Sequence, residues 1–284
     1  MALNKKTFAI RSVSALVFGA LLIGCVYWNY FSFGIFFFAV ALLGLNEFYK
    51  IAGNLGAKPF KFPGFIFGAL TYFNFIYYDA FCLNDYLLDF HNIINSLLFI
   101  MPFVILAAAL YSKKEDSVKS AMFTIGGVIY SVLPFALLNQ IVFAAGGESG
   151  KIFEPKLILG IIFLIWSSDT FAYIGGSLFG KHKLIERVSP GKTWEGTIIG
   201  ILITFAISFT FNHLYKLNDF IWPLLGMFIP ILATIGDLVE SKLKREAGIK
   251  DTGNIIPGHG GILDRFDSLI FVSPFVYAFF NLIF

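Results

Sequence analysis

From Gly236 to Ser268 the chain reads GDLVESKLKREAGIKDTGNIIPGHGGILDRFDS. Acids suited to a divalent cation, bases suited to phosphate and a glycine-flanked histidine occur together there. Asp237, Glu240, Ser241 or Lys242, and Lys244 fall near helical spacing, so a helix would carry several of them on one face. Hard oxygen ligands of this sort suit Mg2+, which takes one or two carboxylates plus substrate phosphates. Lys244, Arg245 and Lys250 supply the positive charge that a triphosphate demands. Pro257 to Gly261 is too flexible for a helix and lets backbone approach a ligand closely. Asp264-Arg265-Phe266-Asp267 then opens the last apolar run, with its two aspartates on neighbouring helical positions. Plainer readings stand beside these. A basic juxtamembrane loop often only sets topology, and a lone His259 is commonly a loop hydrogen-bonder. Carboxylates at the ends of apolar spans cost free energy, which marks Asp237 and Asp264 as functional.

A second segment, Asp169 to Gly196, reads DTFAYIGGSLFGKHKLIERVSPGKTWEG. Asp169 lies inside an apolar run and is expected to face a polar cavity or a partner. Ala172, Gly176 and Gly180 recur every fourth residue, a pattern of close helix packing. Ser189-Pro190-Gly191-Lys192-Thr193 is expected to lead into a helix with Pro near its first turn. Free N–H groups at such a start favour anions, so Lys192 and Thr193 are candidate phosphate binders. The alternative for Lys192 is a snorkelling interface lysine, and Glu195 in a first turn can simply complement the helix dipole.

These segments need a scaffold, and composition names it. Of 284 residues, 57% are hydrophobic and 14% are charged, against roughly 25% charged in a soluble chain. That profile excludes a soluble globule, disorder and a coiled coil. Apolar runs near 12–30, 33–48, 63–81, 94–111, 120–144, 157–178, 195–213, 220–240 and 266–284 predict about nine transmembrane helices. The first two form a tight hairpin, and the first run is a retained helix rather than a signal peptide. The expected fold class is an all-α polytopic integral membrane protein. Residues 1–150 would hold five spans, and 151–284 four spans with both motif-bearing segments. Of 21 Lys and Arg, all but Lys151, Lys156 and Lys216 then fall on the N-terminal side. The positive-inside rule makes that side cytoplasmic, in the cell (inner) membrane. Cys25 and Cys82 form no metal or disulfide framework, and a net charge of +3 gives no case for nucleic acid. Small-residue helix faces leave a homodimer open.

The stretch Ser241-x-Leu-Lys-Arg-x4-Lys250-Asp251-x-Gly-x2-Ile-Pro-x-His259-Gly-Gly-Ile-x-Asp264-Arg265-Phe-Asp267 resembles the signature of phosphatidate cytidylyltransferases, or CDP-diacylglycerol synthases. Asp169-x2-Ala-Tyr-x2-Gly-x2-Phe-Gly-Lys181 and Ser189-Pro-x-Lys192-Thr-x-Glu195-Gly are similar to other shared blocks of that family. The first five spans match only in hydropathy and in Asn46-Glu47-Phe48-Tyr49. The resemblance implies Mg2+-dependent conversion of CTP and phosphatidate to CDP-diacylglycerol and pyrophosphate. It implies Asp237 and Asp264 as metal ligands, with Ser241, Asp251 and Asp267 assisting. Lys192, Thr193, Lys244, Arg245 and Lys250 would grip phosphates, with Gly260 and Gly261 beside them. His259 and Arg265 would lie near the triphosphate, and Asp169 on the cavity wall. A lateral opening to the inner leaflet is expected. Rivals are another CTP-using lipid enzyme, such as a polyprenol kinase, and a cation-coupled transporter. The transporter leaves the His-Gly-Gly loop unexplained.

Overall fold

The computed structural model describes residues 5–76, 86–113, 115–144, 152–215, 220–255 and 260–283. Helices α1 (Lys5–Trp28) and α2 (Tyr30–Asn54) are separated only by Asn29, which is extended. The Asn29 side chain accepts from Ser32 N at 2.8 Å, and Ser32 Oγ accepts from Asn29 N. This reciprocal cap starts a new helix directly after α1. There follow α3 (Lys61–Asn74), α4 (Tyr86–Leu110), α5 (Ser117–Ser131) and α6 (Leu133–Ile141). The single run expected over 120–144 is two helices because Pro134 stands in the first turn of α6, where it starts a helix and cannot continue one. The chain ends with α7 (Pro155–Phe179), strands β1 (Lys183–Ile185) and β2 (Ser189–Thr193), α8 (Trp194–Tyr215), α9 (Ile221–Glu246) and α10 (Leu263–Ile283). The protein is an all-α polytopic membrane protein with one small antiparallel hairpin.

Seven helical stretches among the described residues are long and apolar enough to cross a membrane. Against the expected nine, α1 contributes the shorter apolar stretch Ser12–Trp28, and α3 has 14 residues. The helices nevertheless share two ends. At one end, Lys58 N donates to Ser120 Oγ at 2.9 Å, and Lys119 Nζ donates to the Leu55 carbonyl at 2.8 Å. The close of α2 and the openings of α3 and α5 therefore lie together. At the other end, Gln140 Nε2 donates to the Phe75 carbonyl at 2.9 Å, and Glu154 N donates to the Val142 carbonyl at 3.0 Å. Tyr30 packs there against Phe143 and Phe153.

The core is aromatic. Phe266, in the first turns of α10, packs edge-on against Phe18, Phe37 and Phe135 of α1, α2 and α6. Phe266 is buried, and such ring pairs add to the burial of each ring. This wedged ring thus packs α10 against three helices, with Asp264 and Asp267 on either side of it.

Candidate active site

The C-terminal half of α9 presents a row of polar side chains. Glu240 is fully buried, and Lys244 Nζ lies 3.0 Å from Glu240 Oε1 and 2.7 Å from Asp264 Oδ1 on α10. Two buried carboxylates and one cation form a compact triad, and such charges are tolerated inside a protein only when paired. One turn earlier, Ser241 Oγ donates to Asp237 Oδ1 at a long 3.5 Å. Asp237 Oδ2 pairs with Lys192 Nζ of β2. Asp267 of α10 lines the same cavity as Asp237.

Asp264 is tied on its other side. Its Oδ2 accepts from Thr252 N at 2.8 Å, Thr252 Oγ1 at 2.9 Å and Gly261 N at 2.8 Å. Gly260 has φ +83°, and a Cβ there would sit 2.7 Å from Asp264 Oδ2. Only glycine fits both the backbone angle and the space.

The hairpin is docked by Glu195, in the first turn of α8. The Glu195 carboxylate accepts from Lys181 N at 3.1 Å and His182 N at 3.2 Å, and meets His182 Nδ1 at 2.6 Å. Thr193 is buried, and its Oγ1 accepts from Gly196 N at 3.2 Å as the cap of α8. Pro190 lies in β2 and not in a helical turn as expected. The helix begins only at Trp194, so Lys192 is presented from a strand.

Between the hairpin, α1, α7, α9 and α10 lies a cavity of about 850 Å3. Asp169, Lys183, Lys192, Thr193, Asp237, Asp264, Arg265 and Asp267 line it. Apolar and small residues of α1 and α7, including Ala15, Phe18, Gly19 and Trp166, complete the wall. The chamber combines three cations, several carboxylates and an apolar flank. Cations beside an apolar wall can take an anionic head attached to an apolar tail once the carboxylates are neutralised.

The cytidylyltransferase family model matches residues 9–283, nearly the whole chain. The chain belongs to the cytidylyltransferase family. It is 38% identical over 176 residues to a phosphatidate cytidylyltransferase of Staphylococcus aureus (strain COL), covering 61% of this chain. It spans 64% of the length of that relative, just under two thirds. It is 40% identical over 185 residues to a phosphatidate cytidylyltransferase of Staphylococcus haemolyticus, covering 64% of this chain and 68% of the relative.

Within this cytidylyltransferase-family chain, both motif segments expected to act together meet at one cavity. Asp169, Lys192, Thr193, Asp237, Asp264, Arg265 and Asp267 line it, and Ser241 reaches it through Asp237. Lys244 stands behind Asp264, and Gly260 and Gly261 form the turn around that carboxylate. Arg245, Lys250 and Asp251 are exposed and do not line the cavity. His259 lies outside the described residues. Sequence reasoning passed over Lys183, which lines the cavity while its Nζ donates to the Pro190 carbonyl at 2.7 Å. It also passed over the contribution of α1. Register in the hairpin, Lys183 opposite Thr193, puts Lys183 beside Lys192, but three residues of strand carry too little pattern to announce it.

Among the described residues, no group of three or more His, Cys, Asp or Glu is arranged to hold a metal ion. Asp237 and Asp267 both line the cavity, and their chemistry fits Mg2+, which needs only one or two carboxylates when substrate phosphates supply the rest. Asp264 Oδ2 is taken up by Thr252 and Gly261, while among the described residues Oδ1 accepts only from Lys244, and Asp264 still lines the cavity.

Proposed function

We propose that this chain transfers a cytidylyl group from CTP to phosphatidate, giving CDP-diacylglycerol and pyrophosphate, with Mg2+ as cofactor. The observation that carries the reading is the cavity itself. It brings Lys183, Lys192 and Arg265 together with Asp237 and Asp267, beside an apolar wall of α1 and α7. The names of the staphylococcal relatives supply the substrates.

In the reaction, an oxygen of the phosphatidate monoester attacks the α-phosphorus of CTP. The bond from the α-phosphorus to the bridging oxygen breaks, and pyrophosphate leaves with that electron pair. A phosphate monoester is already a nucleophile, so no serine or cysteine is needed to form an intermediate. The work is positioning and charge neutralisation. Lys192 and Lys183 draw phosphate oxygens toward the hairpin, and Arg265 does so from α10, where its fork can take two oxygens at once. Asp237 and Asp267 would hold Mg2+, which when bound supplies positive charge against the repulsion of two anionic substrates. Lys192 pairs with Asp237 in the present structure, so ligand and metal would compete for these two groups and re-sort them. The motif-bearing end faces the cytoplasm, where CTP is found.

Purified protein with labelled CTP, Mg2+ and phosphatidate should yield lipid-extractable cytidine label and equimolar pyrophosphate, and chelation of Mg2+ should stop both. Solute flux in proteoliposomes without CTP consumption would instead favour a transporter.

A further inference from the structure

Glu47 on α2 is fully buried, and no basic side chain among the described residues lies within ion-pair distance of it. A carboxylate taken out of water without a cation must be met by dipoles. Glu47 Oε1 accepts from Ile262 N at 3.0 Å, and Oε2 accepts from Leu263 N at 2.9 Å. These are the peptide groups that open α10, and free N–H groups at a helix start carry partial positive charge. Thr252 Oγ1 lies 3.0 Å from Oε2 on the same side. The loop backbone comes so close that side chains are excluded. A Cβ on Gly261 would overlap both Glu47 oxygens, and one on Gly253 would sit 3.1 Å from Glu47 Cδ. Two loop glycines are therefore spaces kept for this carboxylate.

Thr252 carries the connection onward. Its N and Oγ1 both reach Asp264 Oδ2, and Asp264 Oδ1 reaches Lys244. A continuous polar chain runs from α2 through the loop to the cavity wall. Phe266, wedged between α1, α2 and α6, is its apolar counterpart one turn further along α10.

We infer that Glu47 is a positioning residue, which fixes the loop ending at Gly261 and the first turn of α10 so that Asp264, Arg265 and Asp267 face the cavity in one register. It touches no reactant and acts through Thr252, Asp264 and the α10 backbone. The kinetic side of this inference rests on the cytidylyl-transfer reading; the structural side does not.

Glu47→Gln tests it in the full chain in lipid nanodiscs. The amide keeps the shape but turns one acceptor into a donor facing Ile262 N or Leu263 N. Amide exchange in peptides covering 260–263 should quicken about tenfold or more while α7 and α8 keep their rates. The kcat for lipid-linked cytidylyl product should fall about 10- to 100-fold, with KM for CTP nearly unchanged. Wild-type kcat together with wild-type exchange overturns the inference. So does exchange quickened equally in every helix, which would make Glu47 a general stabiliser. Should Glu47→Gln fail to accumulate, Thr252 decides: Thr252→Val should lose rate and Thr252→Ser should recover most of it, and equal rates in the two overturn the inference. If the wild type itself forms no lipid-linked product, the cytidylyl reading fails, and the exchange comparison still decides the role of Glu47.

Discussion

Two lysines paired with neighbouring acids of α9 and α10 have opposite characters. Lys244 is 13% exposed between Glu240 and Asp264, whereas Lys192 is 27% exposed beside Asp237 at the cavity. Removing Lys244 leaves two buried carboxylates facing each other, and breaking such a group costs about 3–5 kcal/mol. Lys244→Met should therefore lower the thermal unfolding midpoint in detergent, and adding Glu240→Gln should recover part of the loss. Lys192→Met removes one partner of a partly solvated pair and should cost less than about 1 kcal/mol of stability. Its effect should fall on turnover, by on the order of 10^2-fold, as when one preorganised donor is deleted from a charge-stabilising site. Unfolding curves and initial rates on the same two preparations separate the roles. If Lys192→Met unfolds the protein and Lys244→Met leaves it intact, the assignment is reversed.

Among the elements, the α7–α8 pair shows why the glycine spacing was readable and the hairpin was not. Ala172, Gly176 and Gly180 announce a flat helix face, and the structure fills it from α8. A Cβ on Gly196 would lie 2.9 Å from Gly176 Cα, and one on Gly200 would lie 2.9 Å from the Ser168 carbonyl. Periodic small residues are a local signal, so sequence alone carries them. The limits of α8 were legible for the same reason, Trp194–Tyr215 against an expected 195–213, whereas the run expected over 120–144 divides at Pro134. The hairpin of β1 and β2 has three and five residues, one of them Pro and one Gly, and no alternation to read. Glu47 was picked out only within Asn46-Glu47-Phe48-Tyr49, and its role was hidden for a different reason. Its partners lie more than two hundred residues away, and one buried carboxylate in an apolar helix does not name them. Gly196→Ala should cost about 1–3 kcal/mol by overpacking and move Lys192 with the displaced start of α8. Gly24→Ala, inside α1 with nothing within 4 Å, should leave the rate unchanged and stability equal or raised by up to about 1 kcal/mol. Equal unfolding midpoints for the two variants would show that α7 and α8 do not depend on this contact.

At the scale of the whole molecule, the question is which end faces the cytoplasm. The close of α2 and the openings of α3 and α5 are joined by Lys58, Lys119 and Ser120. The close of α9 and the opening of α10 share the Lys244–Asp264 bond, and Glu47 near the close of α2 binds the α10 start. These contacts gather at one end the loops that carry nearly all the Lys and Arg, including the hairpin with Lys183, Arg187 and Lys192. The opposite end, where Glu154 meets Val142, holds Lys156. Charge asymmetry read from sequence and helix pairing read from structure thus divide the molecule along the same plane, and the positive-inside tendency predicts that the basic end faces the cytoplasm. With Cys25 and Cys82 replaced by serine, Glu186→Cys in the hairpin turn and Lys156→Cys at the opening of α7 offer exposed positions at the two ends. An impermeant maleimide applied to intact cells should label the Lys156→Cys variant and spare the Glu186→Cys variant until the membrane is opened. Labelling of Glu186→Cys in intact cells would put the cavity on the side without CTP, and neither the orientation nor the proposed reaction would survive it.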